Sequence, residues 1–217
     1  MSMQTIDRMV AGFRSFRAGY YEQRPERVIS LVEGRQNPEV VLIACADSRV
    51  DPAILMQSEP GELFVVRNVA ALVPPHAPDG SYHGTSAALE FAVCELAVKD
   101  AVILGHSACG GMAALVAARA RYNRGAAEAM NRAYINPWMS MMADVADALN
   151  ADPQSMDSVN MVGMATVKRS LENLRSFPFV AEAVAAGTLR LHGWWFDMRH
   201  GVLSSLNPET DQFTPLA

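Results

Sequence analysis

Two short segments carry residues of the types and spacing that metal chemistry needs. Cys45-Ala46-Asp47-Ser48-Arg49 and His106-Ser107-Ala108-Cys109-Gly110-Gly111 each close a short β-branched run. If those runs are neighbouring strands of a parallel sheet, Cys45, His106 and Cys109 converge at its carboxyl edge, where open α/β sheets bind ligands. Two thiolates and one imidazole are a borderline-soft donor set suited to tetrahedral zinc, and three protein ligands leave the fourth position for water. Singly, each residue has a plainer explanation. A cysteine at a strand end is usually a small buried apolar group, and His-x-x-Cys recurs by chance. The shared sheet edge is what favours zinc. Asp47 and Arg49 stand two apart beside Cys45, so a carboxylate kept ionised by a guanidinium is available to face metal-bound water. A turn cap for Asp47 and a surface ion pair for Arg49 are the plainer alternatives. Cys94 lies mid-helix among Phe91, Val93 and Leu96 and reads as core.

The elements that must position these segments follow from hydrophobic periodicity. Runs at 38–45, 61–68, 100–106 and 187–196 alternate with helical stretches at 85–98 and 110–121. This pattern predicts an α/β fold, a mostly parallel β-sheet flanked by helices and joined by right-handed crossovers. Asp51-Pro52 reads as an N-cap followed by proline at the first helical position, and Gly187 as the stop of the helix FVAEAVAA. Ile6, Met9, Val10, Phe13, Phe16 and Tyr20 fall at three- and four-residue steps. They predict an amphipathic N-terminal helical arm over 1–35, covering either its own core (36–217) or a partner subunit. The arginine-bearing stretch 119–136 (Arg119, Arg121, Arg124, Arg132) reads as a solvated connection.

Composition bounds the partners. At 217 residues, one domain is the expectation. With 50% apolar and 19% charged residues, disorder is excluded. A net charge of −5 gives no surplus for nucleic acid. Asp7 and Arg8 interrupt the only apolar N-terminal stretch, so neither a secretory signal nor a membrane span is expected. Three cysteines are too few and too odd for a disulfide framework and suit a reducing, cytoplasmic compartment. The apolar surplus favours a homo-oligomer.

CADSR (45–49), EPGELFVVRNVAALVPP (59–75), GTSAALEFAV (84–93), VILGHSACGG (102–111), LENLRSFPFV (171–180) and GWWFD (193–197), in that order, resemble the β-class carbonic anhydrases of the plant-like branch. The resemblance implies a zinc lyase that interconverts carbon dioxide and bicarbonate, built as a homodimer or a multiple of dimers in which the N-terminal arm grips the mate. It implies Cys45, His106 and Cys109 as zinc ligands and Asp47-Arg49 as the dyad that orients a zinc-bound hydroxide toward CO2. An alternative family state has the aspartate as fourth ligand, and the sequence leaves that choice open. Gln36 and Phe64 match pocket residues of a site assembled across the dimer interface. Phe91 stands where plant-like members carry tyrosine. Leu42 replaces a tryptophan of the bicarbonate-regulated branch, and Arg67 alone does not restore that regulatory site.

Gly110 and Gly111 open the helix after Cys109, where free N–H groups favour a thiolate and an anionic product. Phe64, Phe91 and Val69 would wall an apolar CO2 pocket with Gln36 as its polar handle. His76, His83 and His192 are either proton carriers or plain surface histidines. Rival readings are a hydrolase of carbonyl sulfide or carbon disulfide, or a non-catalytic zinc module. A cysteine nucleophile is weaker, because no separate base is evident.

Overall fold

The computed structural model describes residues 2–125 and 132–216. The chain divides into two units, 1–37 and 38–217. In the first, α1 (Ser2–Phe16) runs on as π-helical turns over Arg17–Glu22, and α2 spans Pro25–Glu33. The periodic stripe predicted for the arm is there: Ile6, Met9, Val10, Phe13 and Phe16 are all exposed. Phe16 stacks on Tyr20 one turn later, with ring centroids 5.3 Å apart.

The second unit is built on a six-stranded sheet in the order β2-β1-β3-β4-β5-β6. Its strands are β1 (Val40–Cys45), β2 (Leu63–Asn68), β3 (Asp100–His106), β4 (Arg190–Asp197), β5 (Val202–Asn207) and β6 (Gln212–Pro215). β2, β1, β3 and β4 pair in parallel, whereas β5 and β6 add on antiparallel. β1 and β3 are continuous apolar runs because both their faces are covered. Val41, Ile43, Ala101 and Ile103 face a core shared with Leu89, Ala92, Val167, Leu171 and Leu174. Those partners lie on or just after α4 (Gly84–Glu90) and on α8 (Met156–Ser176). α3 (Pro52–Leu55), α5 (Gly110–Asn123), α6 (Ile135–Ser140), α7 (Ala143–Ala148) and α9 (Pro178–Ala185) complete the described helices. Asp51 caps α3 as expected, its Oδ1 accepting from the N–H of Ala53 and Ile54. Gly187, in the left-handed region at φ +71°, ends α9.

Three features differ from the sequence expectation. The helix predicted over 85–98 loses its α-register at Phe91, where Phe91–Glu95 forms a π-helical turn closed by Leu96 N–H on the Phe91 carbonyl. Cys94 is exposed there, not core. The core-facing stripe runs through buried Leu89 and Ala92 and half-buried Leu96, and Cys94 shares their sequence neighbourhood but not their face. Secondly, β5 and β6 follow GWWFD as a hairpin-like extension with no long apolar run to announce them. Thirdly, Arg119 is no solvated residue of a connection. It lies half-buried on α5, pairs with Asp147 of α7 at 2.6 Å, and stacks over the Tyr122 ring at 4.3 Å. Residues 126–131 of that stretch lie outside the described residues. Among the described residues, no helix is long and apolar enough to cross a membrane.

Glycines set how closely α8 approaches the sheet. A Cβ on Gly163 would sit 2.6 Å from the Trp195 ring, and one on Gly105 would sit 2.6 Å from Val167. Because both neighbours are packed core side chains, Gly163→Ala is expected to destabilise the protein by about 1–3 kcal/mol, read as a lower denaturant midpoint. An unchanged midpoint would show that the helix can lift without cost.

Candidate metal centre

β1 and β3 are neighbours in parallel register, Ala44 opposite Leu104, so their carboxyl ends arrive at the same sheet edge. Cys45 ends β1, His106 ends β3, and Cys109 is the N-cap of α5. All three are buried, and their ligand atoms lie within 4.8 Å of one another. The two sulfurs are 4.0 Å apart, close to the edge of about 3.8 Å that a tetrahedron with zinc–sulfur bonds of about 2.3 Å requires. His106 Nδ1–H donates to the Ser107 carbonyl at 2.9 Å, which fixes the tautomer and leaves the Nε2 lone pair free. Nε2 is buried and has no hydrogen-bond partner. A buried, unpartnered nitrogen between two sulfurs is costly unless a cation occupies the space. The donor set therefore fits a soft divalent metal.

Backbone donors serve both sulfurs. Cys45 Sγ accepts N–H bonds from Asp47 at 3.4 Å and Ala70 at 3.3 Å. Its neighbour Cys109, together with His106 and those N–H groups, holds the Cys45 thiol below its ordinary value. Cys109 moves the other way, pushed up by the shared interaction with Cys45 and by burial, although the N–H groups of Met112 and Gly111 favour its thiolate. Ala70, Ala71 and Ala108 hold left-handed φ of 70°, 56° and 54° around the cluster. Each such non-glycine residue costs about 1–2 kcal/mol, so the surrounding contacts must hold these turns in place.

Asp47 and Arg49 meet as the sequence suggested. Arg49 Nε donates to Oδ1 at 2.9 Å, Nη2 to Oδ2 at 2.6 Å, and the Arg49 N–H to Oδ1 at 3.0 Å. These bonds hold the Asp47 carboxyl well below the usual carboxylate range. Arg49 Nη2 also reaches the Ala108 carbonyl at 3.0 Å.

The other predicted residues fall at different distances from the cluster. At Gly111 a Cβ would meet Val69 at 3.1 Å, Ala70 at 3.2 Å and Cys109 Sγ at 3.7 Å, so its bare backbone lets the loop close over the sulfur; Gly110 has open space. Phe64 and Phe91 contact each other, centroids 6.0 Å apart. Phe64 is opposite Val41, four strand positions from the Cys45 level, or about 13 Å along the strand. Gln36 is exposed and belongs to the first unit. His192 pairs with Asp100 and lies opposite Val102, four strand positions or about 13 Å from the His106 end of β3, so it does not reach the cluster. His76 and His83 line a groove of about 970 Å³ that Asn68 and Val69 also line.

This geometry agrees with what the chain is similar to. The carbonic anhydrase family model matches residues 40–203, spanning both ligand segments. The chain belongs to the β-class carbonic anhydrases. It is 36% identical over 212 residues to a carbonic anhydrase of Pseudomonas aeruginosa, covering 96% of this chain and 91% of that protein. To β carbonic anhydrase 3 of Arabidopsis thaliana it is 32% identical over 203 residues, 92% of this chain and 76% of that one. A tetrameric β-carbonic anhydrase of Sordaria macrospora superposes with a TM-score of 0.80 at 28% identity, covering 94% and 98% of the two chains. The β-carbonic anhydrase CcaA does so with a TM-score of 0.85 at 26% identity, covering 97% and 99%.

Two residues of this carbonic anhydrase site carry roles that sequence reasoning did not find. Arg67 donates to the Cys45 carbonyl at 3.0 Å, the Asp47 carbonyl at 2.7 Å and Asp51 Oδ2 at 2.7 Å, so it clamps the whole 45–51 loop. The pairing that sets Arg67 opposite Ala44 leaves no mark in the sequence. Trp138 of α6 donates its indole N–H to the Val69 carbonyl at 2.8 Å, a contact no local pattern announces.

Cys45 and Cys109 lie 4.0 Å apart and share protonation as a pair, and binding a divalent metal, which needs both as thiolates, expels the proton they share. Metal affinity is therefore expected to rise about tenfold per pH unit, with about one proton released per metal, as measured by chelator competition and pH-stat titration. Release of two protons would show that both sulfurs start as thiols. Cys45→Ala or His106→Ala is expected to leave no stoichiometric metal by elemental analysis.

Proposed function

We propose that the chain is a zinc-dependent carbonic anhydrase that catalyses CO2 + H2O ⇌ HCO3⁻ + H⁺, with Cys45, His106 and Cys109 holding the ion. The observation that carries this reading is the buried, unpartnered Nε2 of His106 within 4.8 Å of two sulfurs, in a chain of the carbonic anhydrase family. When bound, zinc supplies a Lewis acid that lowers the pKa of water from about 15.7 toward about 7.

The chain's own groups do the rest. Asp47, held ionised by Arg49, can only accept hydrogen bonds, so it takes the O–H of the attacking water and turns that oxygen's lone pair toward the carbon of CO2. Arg49 keeps both carboxylate oxygens engaged, which stops the side chain from protonating or swinging away. The start of α5 at Gly110 and Gly111 presents the positive end of a 14-residue helix to the anionic product. The product proton leaves through solvent and buffer.

Oligomerisation belongs to the same proposal. Phe64 and Phe91 sit too far along the sheet to wall their own chain's cluster, and Val65 and Phe91 are exposed beside the free edge of β2. A second copy that brings Gln36, Phe64 and Phe91 to this cluster would complete a dry pocket, with the 1–35 arms covering each other's chains. Three free cysteines support a cytoplasmic setting.

Stopped-flow CO2 hydration by the zinc-loaded protein tests the function directly, with carbonyl sulfide and carbon disulfide assayed in parallel. Asp47→Asn is expected to keep about one zinc per chain while kcat/KM falls about 10- to 100-fold. Unchanged hydration would reduce Asp47 to a structural role. Sedimentation at micromolar concentration is expected to give a dimer or a multiple of it. A fully active monomer would rule out the shared pocket.

A further inference from the structure

Helix α8 carries a polar residue aimed at the metal centre that no chemical motif announces. Asn160 lies one turn inside the helix, after the Ser155 N-cap, and its side-chain Oδ1 accepts the N–H of Ala108 at 2.9 Å. Ala108 stands between the ligands His106 and Cys109 and holds a left-handed φ of 54°. Its carbonyl accepts Arg49 Nη2 at 3.0 Å, and that same nitrogen donates to Asp47 Oδ2 at 2.6 Å. The bonds form one chain from helix to dyad: Asn160 to Ala108, Ala108 to Arg49, Arg49 to Asp47.

Each link answers a physical need. An alanine does not stay in the left-handed region unaided, because its Cβ crowds the following carbonyl. A fixed acceptor on its N–H is what holds the turn. Arg49 is more than half exposed, so its long side chain loses rotamer freedom whenever it is held on Asp47, and the Ala108 carbonyl gives it a second seat. Helix α8 can supply the acceptor because it runs close to the sheet at Gly163, one turn beyond Asn160, where a Cβ would strike Trp195.

We propose that Asn160 is a positioning residue: it fixes the Ala108 turn, and through that turn it sets both the Cys109 ligand and the Arg49 seat of the dyad. The inference rests on the carbonic anhydrase reading for the role of Arg49, but not for the geometry of the ligand loop. Its test therefore uses two readouts on the zinc-loaded, full-length protein: kcat/KM for CO2 hydration, and the rate of zinc release to a chelating dye.

Asn160→Leu keeps the volume and removes the acceptor. It is expected to lower kcat/KM and to speed zinc release, each by about tenfold, the size of effect seen when the partner of a metal ligand is lost. Asn160→Asp keeps the acceptor oxygen and is expected to restore both to within about threefold of the parent. Should Asn160→Leu fail to fold, Asn160→Ser, too short to reach Ala108, is expected to show the same two losses. Leu or Ser variants that match the parent in both readouts would overturn the proposal. So would an Asp variant as impaired as Leu, which would mean that Asn160 serves helix packing and not the turn. If the parent shows no CO2 hydration, the enzymatic reading fails, while zinc release still decides the role of Asn160.

Discussion

Two sulfurs and an imidazole nitrogen, all in buried residues, are packed within 4.8 Å of one another, and that crowding is the constraint the rest of the second unit answers. Without a cation the set is unfavourable: two sulfurs 4.0 Å apart in buried residues, beside an imidazole nitrogen with no partner. The fold offsets this with N–H groups from Asp47 and Ala70 on Cys45 and with the first turn of α5 on Cys109. Those donors are in place only because Ala70 and Ala108 are held in left-handed backbone that alanine disfavours. Local strain is thus the cost of a cluster pre-organised for a cation.

The segments around the cluster are tied to it from several directions. Arg67 of β2 grips the 45–51 loop through two carbonyls and Asp51, so the strand pair and the loop move as one. The Asn68 side chain brackets the next turn, accepting Leu72 N–H at 2.9 Å and donating to the Leu72 carbonyl at 2.8 Å. From the other side, the end of β4 holds Ser107, whose N–H bonds the Phe196 carbonyl and whose hydroxyl accepts Met198 N–H, both at 2.9 Å. α8 contributes Ser170 and Asn173, which bond the Val73 backbone on either side of its peptide. Asp47 and Arg49 are therefore mounted on a frame whose rigidity comes from residues with no chemistry of their own. A half-exposed ion pair of this kind would otherwise be weak and mobile.

The surface on the far side of Asn68 and Val69 has a different character. A groove is lined by Asn68 and Val69 together with prolines, aromatic rings and two histidines, while Phe64 sits along β2 from the cluster with Phe91 packed on it. Val65 and Phe91 are both left exposed on this chain.

The sequence by itself determined the chemistry-bearing residues and the strands that end on them. Cys45 and His106 each close a continuous apolar run that only a buried parallel strand can use, and Asp51-Pro52 and Gly187 mark helix ends through constraints local to a few residues. What depends on contacts distant in sequence was not legible there. Cys94 looked like core because its neighbours are apolar, yet the π-helical turn after α4 leaves it on the exposed face. The roles of Arg67, Trp138 and Asn160 appear only when β2, α6 and α8 are brought beside the ligand loops, and Asn160 is 52 positions from the backbone it bonds. Composition and periodicity report burial and local geometry, so they pointed to the strand ends where Cys45 and His106 lie. The tertiary structure alone decided which polar groups hold those ligands in place, because a hydrogen bond between distant segments leaves no periodic trace in either one.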